Sequence, residues 1–317
     1  MEAPKKLKVA VIYGGEAERE VSIMSSKEIL KSLDRRKYDC APIEIPAGGG
    51  AAWVGELMAA APDVVLLGLH GGIGEDGSLQ GLLECLRIPY VGSKVQGSAI
   101  GLDKAMSKLI MRARHIPVAD DVFIKKGEDF ARFREEIARL GLPLVVKPNR
   151  FGSSIGVSIV RDPAELDAAA ARVRALDDDI LIEKYLRGQE VTCGVLETPE
   201  GLEVLTVLDI DADSGDAFYD YHAKYFNEMT KIEFSSQPDF VQTMIQEIAK
   251  DVFRALNCSG YGRVDMIVSE EQVYVLEINT LPGLTSHSLI PKAARGKGLD
   301  FPAFLDRLIE FEVNGRK

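Results

Sequence analysis

The sequence predicts an α/β unit followed by α+β organisation. Two observations predict the first part: short apolar runs alternate with amphipathic helical stretches, and glycine clusters stand at the ends of those runs. A third predicts the rest: from the middle onward strand patterns dominate. KVAVIY (8–13) reads as a buried strand, EREVSIMSSKEILKSL (18–33) as an amphipathic helix, PDVVLLGLH (62–70) as a strand and GSLQGLLECL (77–86) as a helix. This order predicts a parallel sheet with sites at the carboxyl ends of its strands, where Gly14-Gly15 and His70-Gly71-Gly72 stand. A helix at DKAMSKLIMRARH (103–115) opens a second unit, with strands at DDVFI, PLVVKP, GVSIV and DILIEKYL and a helix at DPAELDAAAARV. Beyond it lie strands at VTCGVLE, LEVLTVLDI, YGRVDMIV and VYVLEIN and helices at DFVQTMIQEIAKDVFRAL and FPAFLDRLIEF. We therefore expect units at 1–102, 103–188 and 189–317. The long polar segment 211–238 is expected to be either a lid loop or disordered.

The 317 residues carry 46% hydrophobic and 27% charged side chains, the balance of a soluble globular protein. A formal net charge of -11 speaks against a broad nucleic-acid surface. It leaves room for an anionic ligand where basic residues and metal ions converge. Cys40, Cys85, Cys193 and Cys258 form no close pairs, which fits reduced thiols in the cytoplasm and no zinc site. The apolar run after the N-terminal lysines is short and meets Gly14-Gly15 at once, so it is a strand and not a signal peptide. No segment has the length to span a membrane.

Four stretches carry chemistry. In VLEINTLPGLTSHS (275–288), Glu277 and Asn279 stand two apart on a strand and present oxygens on one side, a pattern that suits Mg²⁺. A polar strand end running into a turn would look the same. The preceding YGRVD contributes Asp265. If these strands form a hairpin whose turn has an odd number of residues, Asp265 falls opposite Glu277; an even turn puts them on opposite faces. We expect the odd turn. In VKPNRFGSSIG, Lys147 precedes a Gly/Ser loop that could close over phosphates, though an ordinary glycine hairpin has the same composition. In IEKYLRGQE, Glu183 and Glu190 offer acceptors beside Lys184 and the apolar Leu186, as a nucleoside requires, or simply a charged strand end. Lys104 opens a helix and by itself is an ordinary surface lysine.

Taken in order, GGEAEREVS, HGGIGEDGSLQG, GLDKAMSK, VKPNRFGSSIG, IEKYL with Glu190, YDYHAKY, GRVD and EINTLPGLTSHS cover nearly the whole chain. In these motifs the sequence resembles the D-alanine-D-alanine ligases of the ATP-grasp superfamily. The resemblance implies an ATP-grasp fold behind an N-terminal parallel-sheet domain. It places Lys104, Lys147 and Lys224 on ATP phosphates, Glu183 and Leu186 at the adenine, Glu190 at the ribose, and Lys184 among the ATP-binding residues. Asp265, Glu277 and Asn279 would ligate two Mg²⁺, with Mn²⁺ as a substitute. Glu18 would pair with the ammonium of the first D-alanine near His70, and Ser153 and Tyr225 would join Glu18 in a hydrogen-bonded triad. Arg263 and the Gly283 N–H would stabilise an oxyanion, while Ser288 and Leu289 would receive the second substrate's carboxylate.

The implied reaction is activation of one D-alanine by ATP as an acyl phosphate, attack by a second D-alanine, and release of D-alanyl-D-alanine for peptidoglycan precursors. The resemblance also implies a cytoplasmic homodimer without nucleic-acid or membrane partners. Two rivals stand beside it: a ligase with another acceptor, such as a D-2-hydroxy acid, and a nucleotide-binding regulatory protein without turnover. Tyr225 speaks for an amine acceptor, because the related ligases that make D-alanyl-D-lactate lack it. The intact Lys147, Arg263, Asp265 and Glu277 speak for turnover. Phe151, in the flap, and the glycine spacing of HGGIGEDG depart from the commoner family pattern.

Overall fold

The computed structural model describes residues 5–176, 178–212, 230–270, 272–285 and 288–315. Among them the strands form three sheets. The first is parallel, in the order β2-β1-β3, from β1 (Leu7–Gly14), β2 (Tyr38–Ile45) and β3 (Val64–Leu67). Val9, Ala10, Val11 and Ile12 are all fully buried, because α1 (Arg19–Ser32) and α2 (Ala52–Ala60) complete crossovers that cover a parallel sheet. β2, which the sequence pattern does not announce, lies at an edge, where Pro42 is tolerated. Next come α3 (Ser78–Cys85), α4 (Val95–Leu102) and α5 (Lys104–Ala113). Asp103 separates the last two: its backbone is extended, and its side chain caps α5 by accepting from the Met106 N–H at 3.0 Å.

The second sheet is antiparallel in the order β4-β7-β5-β6, from β4 (Asp121–Ile124), β5 (Leu144–Pro148), β6 (Ser158–Val160) and β7 (Ile180–Lys184). With α6 (Arg134–Leu140) and α7 (Leu166–Ala175) it closes a small core of residues such as Val146, Ile182 and Val173.

The third sheet runs β11-β10-β8-β12-β13, and β9 also pairs with β8. Its strands are β8 (Gln189–Thr198), β9 (Gly201–Val204), β10 (Leu208–Ala212), β11 (Thr230–Phe234), β12 (Tyr261–Val268) and β13 (Val273–Asn279). LEVLTVLDI, expected as one strand, is two, which occupy successive stretches of the same β8 edge. Parts of the segment 211–238, expected as a lid loop, are strand. Asp211 and Ala212 finish β10, and Thr230–Phe234 pairs back on it as β11. What remains of it before β11, with Lys224 and Tyr225, lies outside the described residues.

α8 (Asp239–Ala255) lays Ile245 and Phe253 against Val264, Met266 and Val275 of this sheet. The final helices, α9 (Leu289–Gly296) and α10 (Phe301–Glu310), belong elsewhere in the packing. Ile290, Phe304 and Leu308 share a hydrophobic cluster with Val11, Ile12 and Leu66 of the first sheet. No helix among the described residues is long and apolar enough to cross a membrane.

Candidate active site

Two cavities meet at Gly152 and Ser153, in the flap between β5 and β6. The first lies between the second and third sheets. Lys104, Lys147 and the flap form one wall, Glu183, Lys184, Leu186 and Glu190 another, and Asp265 and Glu277 the floor. The second opens toward the first sheet and is lined by Glu18, His70, Arg263 and Asn279, with Gly283, Ser288 and Leu289 from the loop after β13. Every described residue singled out in the sequence thus borders one of the two.

The floor is set by a hairpin whose turn is not the expected one. Val268 pairs with Val273, so four residues intervene, an even number. Carried on unbroken, that register would put Asp265 opposite Leu276 and turn Glu277 to the other face. A β-bulge at Leu276 corrects it: Met266 pairs with Val275, but Asp265 pairs with Glu277 and Arg263 with Asn279. The consecutive residues Leu276 and Glu277 consequently both border the first cavity, which a regular strand would forbid.

The charged groups are paired with one another. Arg263 forks onto Asp265, Nε to Oδ1 at 2.9 Å and a terminal nitrogen to Oδ2 at 2.7 Å. Thr192 Oγ1 donates to Asp265 Oδ1 at 2.6 Å and Asn279 Nδ2 to Oδ2 at 3.0 Å. Lys104 Nζ lies 3.2 Å from Glu277 Oε2 and donates to the Phe151 carbonyl at 2.9 Å. Lys147 Nζ lies 2.5 Å from Glu183 Oε2. Burial would lower the Lys147 ammonium, but Glu183 and Glu277 raise it above its ordinary range. Burial would likewise raise the Glu183 carboxyl, but Lys108 and Lys147 hold it down at about 2.

Asn149 fixes Lys104 and Lys147 relative to each other. Fully buried at the end of β5, it donates through Nδ2 to Asp103 at 2.8 Å, and its Oδ1 accepts the Ala105 N–H of α5 at 2.8 Å. Sequence reasoning passed over Asn149, although it follows Lys147-Pro148 directly.

In the second cavity Ser153 Oγ donates to Glu18 Oε1 at 2.9 Å, linking the flap to the start of α1. Ser153 and Ser154 both have positive φ, 53° and 57°, a conformation that a non-glycine residue holds only when its surroundings demand it. His70 Nε2 meets Ser25 Oγ at 2.8 Å, and the ring also bonds the Leu281 backbone. Burial pushes the imidazole down to about 4, so it is neutral at pH 7. Glu75, inside HGGIGEDG but not singled out in it, also lines this cavity and accepts the Gly71 N–H at 2.8 Å. Burial pushes its carboxyl up to about 7, with Glu18 and Glu277 acting in the same direction.

The loop after β13 delivers the start of α9. Ser288 is its cap residue, but its hydroxyl bonds the Thr285 N–H at 3.1 Å and the Thr285 hydroxyl at 2.8 Å, and it makes no bond to the helix's own amides. Gly283 presses close: a Cβ there would stand 2.8 Å from Ser288 Oγ. Helix-start amides beside this hydroxyl are a fitting receptor for a carboxylate.

Sheets that close around a flap, with lysines on one side and paired carboxylates on the other, define the ATP-grasp class, here joined to a parallel-sheet unit. A family model described as D-ala D-ala ligase C-terminus matches residues 110–310, and one described as D-ala D-ala ligase N-terminus matches residues 50–93. Curated relatives include a D-alanine–D-alanine ligase of Bacillus anthracis, 40% identical over 314 residues, with 98% of this chain and 99% of the relative covered. Another, from Syntrophobacter fumaroxidans, is 42% identical with 98% of each covered. Among solved structures, the Bacillus anthracis D-alanine–D-alanine ligase complexed with ATP superimposes with a TM-score of 0.84 at 37% identity, over 97% of each chain. The VanG D-Ala:D-Ser ligase of Enterococcus faecalis gives 0.85 at 34% identity, over 98% of this chain and 100% of that one. The chain belongs to the D-alanine–D-alanine ligase family.

Proposed function

We propose that this protein uses ATP to join two D-alanines into D-alanyl-D-alanine for peptidoglycan precursors. One observation carries the reading: the two cavities share Gly152 and Ser153 as a common wall, so a nucleotide's terminal phosphate and an amino acid's carboxylate can meet there. A carboxylate is a poor electrophile, and phosphorylation gives it a leaving group.

In this reading Glu183 and Leu186 border the adenine and Glu190 the ribose, with Lys184 also in the ATP site, while Lys104 and Lys147 exchange their carboxylate partners for phosphates. Lys224 joins them, and Tyr225 completes a triad with Ser153 and Glu18. Glu18 holds the first D-alanine's ammonium beside neutral His70. Leu289 and Ser288 take the second D-alanine's carboxylate, which leaves its amine free to attack the acyl phosphate. Arg263 and the Gly283 N–H then face the oxygen on which charge builds in the tetrahedral intermediate. No protein nucleophile is needed.

A metal fits the floor. Among the described residues no three His, Cys, Asp or Glu side chains gather into a cluster. Two carboxylates and one amide leave coordination positions for phosphate oxygens and water, the arrangement Mg²⁺ prefers. Asp265, Glu277 and Asn279 would hold two Mg²⁺, or Mn²⁺ in their place, and these ions supply neutralisation of phosphate charge when bound. The reading extends to a homodimer in the cytoplasm, supported there by four free cysteines.

The test is product mass after incubation with ATP, Mg²⁺ and a panel of D-amino and D-hydroxy acids. D-alanyl-D-alanine as the main product is expected. The likeness to a D-Ala:D-Ser ligase makes D-serine the rival acceptor to include. A depsipeptide product would select the D-2-hydroxy acid reading, and no ADP release with any acceptor would select a nucleotide-binding regulator.

A further inference from the structure

Behind the wall of the nucleotide cavity runs a row of buried charges. Lys108 is fully buried on α5, one turn beyond Lys104. Its ammonium stands 3.0 Å from Asp121 Oδ1 and contacts Glu183 Oε1 more closely still. Asp121 is also met by Arg112. Glu183 therefore sits between two lysines, Lys108 on one oxygen and Lys147 on the other. Of these two only Lys147 borders the cavity.

A lysine with no exposed surface is costly to bury, and its place calls for a reason. The row of charges gives one. When phosphates draw Lys147 forward, its bond to Glu183 weakens. Were Lys147 the sole cation on that carboxylate, its departure would strand a buried negative charge, and the penalty would cancel much of the gain at the phosphate. Lys108 cannot be drawn away, because it does not reach the cavity.

We propose that Lys108 is a positioning residue for the nucleotide: it keeps Glu183 fixed and compensated, so that Lys147 can transfer to the phosphates. The inference rests on the reading that Lys147 meets ATP. Of the two lysines that hold the Glu183 carboxyl down against burial, Lys108 exerts the stronger attraction.

Steady-state kinetics on the full-length protein with Mg²⁺, ATP and D-alanine tests this, using Lys108→Met, Glu183→Gln and the double variant. Lys108→Met should raise the KM for ATP about tenfold or more while the KM for D-alanine stays within about twofold. In the Glu183→Gln background the same substitution should change the KM for ATP by no more than about twofold, since the carboxylate that Lys147 leaves is gone and Asp121 keeps Arg112. If Lys108 only filled space, its loss would cost the same in both backgrounds and affect both substrates, and the proposal would be overturned. Should Lys108→Met alone not fold, the comparison of Glu183→Gln with the double variant decides, and a gap of about tenfold there overturns it. Lys147→Met separates the two levels. An unchanged KM for ATP in that variant removes Lys147 from the phosphates, whereas a raised KM there beside a normal one in Lys108→Met sinks the Lys108 role alone.

Discussion

Arg263 and Asp265, two residues apart on β12, grip each other through two hydrogen bonds in the floor of the site. The guanidinium proposed for the reacting oxygen is thus held by a carboxylate proposed for the metal. Arg263→Ala should lower kcat by about a hundredfold or more while nucleotide binding by calorimetry persists, as for a group that acts chiefly in the transition state. Near-normal turnover would remove Arg263 from the mechanism.

Asp265→Asn and Glu277→Gln should each weaken binding of magnesium-nucleotide, by about tenfold or more. Calorimetry with Mg·ATP measures this without reference to turnover. Binding as tight as that of the unaltered protein would contradict the assignment of the floor.

Gly283→Ala introduces a Cβ 2.8 Å from Ser288 Oγ. The hydroxyl must move, and the loop that presents the start of α9 moves with it. The KM for the second D-alanine should rise about tenfold with little change in the KM for ATP. A parallel rise in both constants would mean that the substitution disturbs the whole site.

His70 gives stability a pH dependence of definite sign. Its imidazole takes up a proton near 6.5 in the unfolded chain but only near 4 in the folded one, so between those values the unfolded state binds more protons. The contribution of His70 to stability must therefore fall as pH drops through that window, whereas that of Glu75, whose carboxyl is raised, runs the other way. His70→Gln lacks this component, and its Tm should decline less between pH 7 and pH 5, values on either side of the model-peptide pKa. Equal declines in the two proteins would show that burial does not hold His70 neutral.

Much of the fold was legible because periodicity and burial agree. The unbroken apolar run of β1 reads as a covered parallel strand, and the long amphipathic pattern of DFVQTMIQEIAKDVFRAL becomes α8. What was hidden depended on partners distant in the chain. β2 and β11 are edge strands of mixed polarity, recognisable only once β1 and β10 stand beside them. The facing of Asp265 and Glu277 was anticipated for the wrong reason: the turn is even, and only the bulge at Leu276, which no local pattern signals, restores it. Lys108 has the sequence look of a solvated helix lysine, and its burial follows from Asp121 and Glu183, contributed by another sheet. The candidate residues that line the two cavities were picked out by the ordered motifs, where spacing alone left them open; the roles given to them are those the resemblance implies.

The last helices close the core of the first sheet, and Lys37 reaches Asp306 at 2.6 Å and Lys94 reaches Glu312 at 3.1 Å across the same junction. During synthesis the earliest strands must therefore wait, with part of their greasy surface uncovered, until residues 289–310 have left the ribosome. A nascent chain stalled before Leu289 should be a target for chaperones, and one released after Glu310 should not.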